Sequence, residues 1–287
     1  MNILDDLKLQ YKLGGIAMRV IYWNVACFLI SLVFYKFSIG QFDFPNWLAL
    51  SSDPQVFMFK PWTFLTYAFF HFGFMHLLFN MLVLNFASNL FLTFFSQKQY
   101  LGLYILGAIF SGIVFALSFY ILGNSASIVG ASAAIMAILV AATTYQPLMN
   151  VRLLFFGNLK LWHITGVILL LDLMQFRLEN MGGHISHLAG AFFGFIFIKL
   201  LQNGTDLSII VSKVLDFFAN LFRKSPTTPF TKVHKNYKKP TEKVTTSRIV
   251  TKDKTQQQID EILDKISQSG YDCLTKEEKE FLFRAGK

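Results

Sequence analysis

Apolar residues run along this chain in six blocks, separated by short polar or glycine-containing breaks. A helix needs about 20 mostly apolar residues to cross the hydrocarbon layer of a bilayer. The blocks at 20–37, 74–95, 101–122, 127–143, 161–176 and 185–201 are therefore predicted to be membrane spans. The fourth is short and follows the loop-like run Gly123-Asn124-Ser125-Ala126-Ser127. Irregular backbone at membrane depth is tolerated only against protein or a water-filled cavity. The fourth helix is thus expected to start below the membrane surface, with Ser132 near its N-terminus and water close by.

Three other stretches break the pattern. Residues 38–73 hold Phe42, Phe44, Trp47, Phe57, Phe59, Trp62 and Phe64 among Pro45, Pro54 and Pro61. This is too apolar for a free loop and too interrupted for a span. Aromatic side chains concentrate at membrane interfaces, so this first loop is expected to be partly folded in the outer leaflet. Residues 206–222 repeat apolar positions at helical spacing (Leu207, Ile210, Val211, Val214, Leu215, Phe218), which predicts an amphipathic helix on the cytoplasmic face. Residues 255–285 read as two short helices broken at Ser269-Gly270, the second opened by a capping box, Thr275-Lys276-Glu277-Glu278. The expected organisation is a cytoplasmic N-terminus at 1–15, a six-span core at 16–202, a juxtamembrane helix at 203–222, a basic flexible linker at 223–254, and a small helical hairpin at 255–287.

Composition supports a membrane protein. The 287 residues are 54% hydrophobic, with 33 phenylalanines and 15% charged residues, against about a quarter charged in a soluble domain. Residues 1–222 carry 11 basic and 8 acidic side chains, a net +3, and residues 223–287 carry 15 and 9, a net +6. A basic tail beside an apolar core fits attraction to anionic lipid better than to nucleic acid. The tail is expected to contact anionic lipid or a cytoplasmic partner. Before the tail, Lys8, Lys12, Arg19, Lys98, Arg152 and Lys160 fall on one side of the predicted spans, and Lys60 and Arg177 on the other. The positive-inside rule puts both termini in the cytoplasm. Cys27 lies in the first span and Cys273 in the tail, so no disulfide framework is implied. No cleavable signal is evident, because the first apolar run follows a polar start containing Asp5 and Asp6.

Polar groups inside spans carry the candidate chemistry. Span two holds His76 and Asn80, four apart and on one helix face. Such groups are costly in a membrane unless they are paired or functional, and an interhelical hydrogen-bond clamp would also explain them. Taken alone, Ser132 in Gly130-Ala131-Ser132-Ala133-Ala134 reads as ordinary small-residue helix contact. His187, followed by Gly190 and Gly194, reads alone as a structural histidine on a helix that approaches a neighbour closely. Together they say more. A serine becomes a nucleophile when a histidine within about 3 Å takes its proton, and acyl transfer needs donors for an oxyanion. The Ser132 backbone N–H, the Asn80 amide and His76 are suitable donors. Asp172 is the only acid in a predicted span, and no evident carboxylate partner follows from its position. A Ser–His dyad without aspartate is the economical reading.

These motifs resemble the rhomboid family of intramembrane serine proteases. The family carries H-x-x-x-N on span two, G-x-S-G at the start of span four, and A-H-x-x-G-x-x-x-G on span six. The corresponding residues are His76 and Asn80, then Gly130-Ala131-Ser132-Ala133, then Ser186-His187 with Gly190 and Gly194. The resemblance covers residues 16–202. It implies an all-α membrane protein: a six-helix rhomboid-like bundle with a long interfacial first loop and a small helical cytoplasmic tail. It also implies a serine endopeptidase that cuts the transmembrane segments of single-pass membrane proteins. Ser132 would be the nucleophile and His187 the general base, with His76 and Asn80 stabilising the oxyanion. Gly130, Gly190 and Gly194 would set the helix contact, and no cofactor or metal is implied. The chain departs from the pattern at Ala133, Ser186, Met136 (where many members have a tyrosine supporting the histidine ring) and Thr63 (where many have an arginine).

The alternative is a catalytically inert relative that binds membrane proteins, although such relatives typically lose the serine or the histidine. A transporter would be expected to show internal repeats and midplane charges. A metalloprotease would need further ligands beside His184 and His187, and HExxH is absent. An aspartyl intramembrane protease would need a second acid. The absence of a targeting segment and the basic tail point to a bacterial plasma membrane.

Overall fold

A computed structural model describes residues 2–38, 41–45, 47–153, 156–175, 180–221 and 254–285. The chain forms two units, Met1–Ser225 and Pro226–Lys287. Most of the linker expected at 223–254 lies outside the described residues, as do Phe176 and Arg177.

The first unit begins with α1 (Ile3–Leu13) and α2 (Gly15–Phe34). Two single-turn helices, α3 (Pro54–Phe57) and α4 (Thr63–Thr66), lie in the first loop. The remaining helices of this unit are α5 (Phe74–Leu92), α6 (Gln97–Leu122), α7 (Ser132–Tyr145), α8 (Leu161–Gln175), α9 (Met181–Gln202) and α10 (Ser208–Leu221). Among the described residues, α2, α5, α6 and α9 are long and apolar enough to cross a membrane, while α7 and α8 are shorter apolar helices. At 1.5 Å per residue, the 14 residues of α7 reach only about 21 Å.

The predicted boundaries need correction at several ends, most at the fourth block, whose helix starts at Ser132 rather than 127 because Ser127–Ile128 form a strand. The first span runs 15–34 rather than 20–37, because Tyr35 is extended and a strand pair starts at Phe37. The sixth starts at Met181 rather than 185. Asn180 adopts a left-handed conformation (φ 48°), and its side chain accepts the Gly183 N–H, the capping that an asparagine side chain allows. α6 has a capping box between Ser96 and Gln99 and ends on left-handed Gly123, both standard helix stops.

The expectation of an all-α chain also needs adjustment. Three short antiparallel pairs join the helices: β1 (Phe37–Ser38) with β2 (Gln41–Phe42), β3 (Leu50–Ser51) with β4 (Ser127–Ile128), and β5 (Asn150–Leu153) with β6 (Gly157–Lys160). Each pair gives backbone N–H and C=O groups partners outside the helices. The β3–β4 pair matters most, because it ties the first loop to the segment leading into α7. Leu50 faces Ile128, Ser52 exchanges hydrogen bonds with Ala126, and the Gly130 N–H donates to the Tyr67 carbonyl at 2.9 Å. Within the loop, Trp62 Nε1 donates to the Trp47 carbonyl and Thr66 Oγ1 to the Leu48 carbonyl.

α7 is the central element. Ala133 to Leu139, Ala141 and Ala142 are all buried, and α5, α6, α8 and α9 surround them. Its small side chains let α9 come close. A methyl group on Gly190 would collide with the Ala133 carbonyl, and one on Gly194 with the Ala137 carbonyl. This is small-residue helix contact of the kind that membrane interiors favour. Polar ties back it up: Tyr67 Oη donates to the Ala108 carbonyl, Tyr104 Oη to the Ala68 carbonyl, and Asn24 Nδ2 to Tyr104 Oη.

α10 leaves Ile209, Ile210, Val214, Leu215, Phe217, Phe218 and Leu221 exposed. It is anchored at its start, where Asp206 accepts from the Ser208 N–H and from Gln99 Nε2.

The second unit contains α11 (Lys254–Ser269) and α12 (Lys276–Ala285). The Thr275 N–H donates to Glu278 Oε2, and the Glu278 N–H donates to Thr275 Oγ1, completing the capping box. Lys265 Nζ donates to Glu278 Oε1 at 2.7 Å. This bond, with the Thr275 N–H, holds the Glu278 carboxyl below its ordinary value. The stabilisation it gives is present above the unfolded carboxylate pKa and is lost as pH falls through the lower folded one.

Replacing Gly194 by leucine should force α7 and α9 apart. We expect a loss of about 1–3 kcal/mol or more, read as a lower thermal midpoint in detergent, whereas Gly166→Ala, within the helical α8 and with nothing within 4 Å of its added methyl, should cost less.

Candidate functional site

Ser132 is the first residue of α7, so its backbone N–H has no acceptor within the helix, and the positive end of the helix dipole lies at this point. Gly130, two residues earlier, has φ +140°, a conformation that side chains rarely adopt. A Cβ there would also sit 3.0 Å from the His76 ring. Glycine is therefore required both by the turn that delivers Ser132 and by the imidazole beside it.

His187 lies on the second turn of α9. Its Nε2 is 2.6 Å from Ser132 Oγ, so the hydroxyl proton can be donated to the ring. The two residues are 55 apart in sequence, and the α7–α9 contact through Gly190 and Gly194 brings them together.

The other face of the His187 ring corrects an expectation. Asp172 Oδ1 accepts from His187 Nδ1 at 2.8 Å and from His184 Nδ1 at 2.7 Å. A dyad with no carboxylate in contact is therefore not what the fold builds. His184 and His187 are three apart on α9, so they share a face, and Asp172 reaches that face from α8. The signal available in the sequence was a lone acid in an apolar helix, a costly placement that asks for partners. Which way Asp172 points depends on how α8 sits against α9, and neither helix's own pattern specifies that. The three ligand atoms lie within 4.8 Å of one another, so this cluster could also hold a metal ion. In the structure described here its members are joined by hydrogen bonds.

Asn80 and His76 are on α5 beside the same space. The Asn80 side chain donates to the His76 carbonyl one turn back on its own helix. It makes no interhelical bond among the described residues, so it is not a clamp between helices. One of its two amide hydrogens remains available. The His76 ring stacks on Phe72 and meets the buried His71 ring edge-on.

Two cavities meet at Ser132. One, of about 260 Å³, includes His76, Asn80, Gly130, Ser132 and His187 in its lining, together with Ile128 of β4 and Val129. The other, of about 320 Å³, is lined by Phe79, Val83, Ile135, Ile168 and Leu171 among others, and shares Asn80, Ser132 and His187 with the first. The serine hydroxyl thus stands between a more polar chamber and an apolar cleft bounded by α5 and α8. Met136 lines the apolar cleft. Ser186 donates to the Gly182 carbonyl on its own helix, and Ala133 is enclosed against the Gly190 backbone.

Residues 59–203 match the family model of the rhomboid domain. The chain belongs to the rhomboid family. It is accordingly a helical, multi-pass integral membrane protein, of a family that includes intramembrane serine proteases. Residues 250–285, which contain α11 and α12, match the model of a family of unknown function, DUF6576. No curated protein matches the chain.

Gly130→Ala should lower stability by more than the ~1 kcal/mol that a glycine-to-alanine change can gain where the backbone suits it. Thermal unfolding should report this, with the loss partly relieved when His76 is also replaced by alanine, because the ring contact then disappears.

Proposed function

We propose that this rhomboid protein is an intramembrane serine endopeptidase that cleaves transmembrane segments of single-pass membrane proteins. The 2.6 Å contact between Ser132 Oγ and His187 Nε2, at a helix N-terminus and between two cavities, is the observation that carries this reading. In the proposed reaction, Ser132 Oγ attacks the scissile carbonyl carbon as His187 Nε2 takes its proton. The carbonyl electrons move onto oxygen. The Ser132 N–H, the free Asn80 amide hydrogen and His76 stabilise that oxyanion, and the α7 dipole adds to their effect. Collapse expels the amine, which leaves with the proton held on His187. A water molecule then attacks the acyl-enzyme with His187 again acting as base, which restores Ser132.

The apolar cleft between α5 and α8 supports a lateral path for the substrate helix. The more polar chamber supports water access from the other side. We further propose that α7 and α8 complete a six-span bundle, with the first loop in the outer leaflet. Both termini would be cytoplasmic, in a bacterial plasma membrane, and the basic tail would meet anionic lipid or a cytoplasmic partner.

The decisive experiment combines a fluorophosphonate probe with a reporter transmembrane substrate. The wild type should be labelled and should cleave. Ser132→Ala should lose labelling and should lose cleavage by at least about 10³-fold while keeping its thermal midpoint, and His187→Ala should lose cleavage as far while remaining folded. Full cleavage by folded Ser132→Ala would overturn the protease assignment. A wild type that binds the reporter but neither reacts nor cleaves would establish the inert-binder alternative. Asn80→Ala should slow turnover by roughly 10²- to 10³-fold, the loss typical of one oxyanion donor.

A further inference from the structure

We propose that Asp172 is a positioning residue for His187, so that the site works as a Ser132–His187–Asp172 relay rather than as a dyad. This rests on the protease reading above and goes beyond it. A carboxylate in an apolar helix is expensive and is retained when it is paired or functional. Asp172 is 9% exposed, and both of its hydrogen bonds fall on one oxygen, Oδ1, from two Nδ1 atoms on the same face of α9. The carboxylate can only accept, so His187 must carry its proton on Nδ1. That leaves Nε2 with its lone pair directed at Ser132 Oγ, the tautomer a general base needs. The Oδ1, imidazole and Oγ groups therefore form one unbroken chain, with links of 2.8 Å and 2.6 Å.

His184 has a different part. Its Nδ1 holds Oδ1 from the preceding turn of α9. Two donors fixed on one helix define where the carboxylate oxygen sits, which one donor would not do. A merely structural latch would be satisfied by the same bonds and the same tautomer, but its loss would lower stability without lowering the kcat of the protein that remains folded.

The test uses full-length protein, first confirmed to cleave the reporter in a Ser132-dependent way. Nitrogen NMR of isotope-labelled histidine should find His187 of the wild type protonated on Nδ1, and should find Asp172→Asn with the tautomer mixed or reversed. Loss of a triad carboxylate elsewhere lowers kcat by about 10⁴-fold through the wrong tautomer. We expect Asp172→Asn to lower kcat at least about 10²-fold on the same grounds, with KM within about twofold, and Asp172→Glu to recover part of the loss. Ser132-dependent cleavage with an Asp172→Asn kcat within about threefold of wild type overturns the positioning role and leaves the protease reading standing. Ser132-independent cleavage overturns both. If Asp172→Asn does not fold, the wild-type spectrum decides: a His187 proton on Nε2 overturns the proposal.

Discussion

The backbone-to-backbone approach of α7 and α9 is the constraint on which the rest of this structure depends. Without an internal hydrophobic driving force, helices in lipid associate through close contact and polar bonds, and closeness requires small residues. Gly190 and Gly194 lie against the carbonyls of Ala133 and Ala137, with no room for a methyl group between them. That approach fixes the distance between the two helices where Ser132 and His187 project, and a hydrogen bond of 2.6 Å forms across it. The small residues around Ser132 are therefore helix contact and site support at once. The alanine at 133, a departure from the family's glycine, fits because it presents its carbonyl to Gly190.

A second constraint acts on the approach to Ser132. The first loop is held to β4 by the β3–β4 pair and by the Ser52–Ala126 exchange, and the Gly130 N–H is held by Tyr67. Tyr67 is in turn bonded to Ala108 on α6. An aromatic, proline-broken loop thus becomes part of the wall that sets the entrance to α7. Its backbone polar groups are satisfied by short strands and side chains, as buried irregular chain requires.

Much of this was legible from residue order. The apolar blocks place every long helix, and the shortness of the fourth block anticipates the 14-residue α7. His76, Asn80, Ser132 and His187 are among the polar groups that the fold gathers around one space. The strand pairs were not legible, because two-residue strands have no period to detect. The start of α9 was displaced by four residues, since an asparagine at φ 48° can cap a helix that the hydropathy pattern alone would begin later. The largest omission was Asp172. The cost of a lone acid could be read, but not its direction. Direction is set by the rotation of α8, and that depends on Leu161, Thr165 and the Thr143–Thr165 hydroxyl contact, a tertiary fact.

That rotation has a consequence for how the site opens. The buried side chains of α8 are Leu161 and Thr165 near its start and Asp172 near its end. Trp162, Val167, Leu170, Leu173 and Met174 face outward. Beyond Ile168, which packs against the core, the Asp172 hydrogen bonds tie the C-terminal end of α8 to α9. The apolar cleft that would admit a substrate helix is bounded by this same element. On the proposed protease reading, a movement that carried the C-terminal half of α8 away from α9 would also draw Oδ1 away from His187. Once that bond exceeds hydrogen-bond reach, the ring loses the acceptor that holds its proton on Nδ1. Access and activation are then opposed through one carboxylate. On the proposed protease reading, His187 could accept the Ser132 proton only with α8 docked as it is here, with Asp172 Oδ1 against Nδ1.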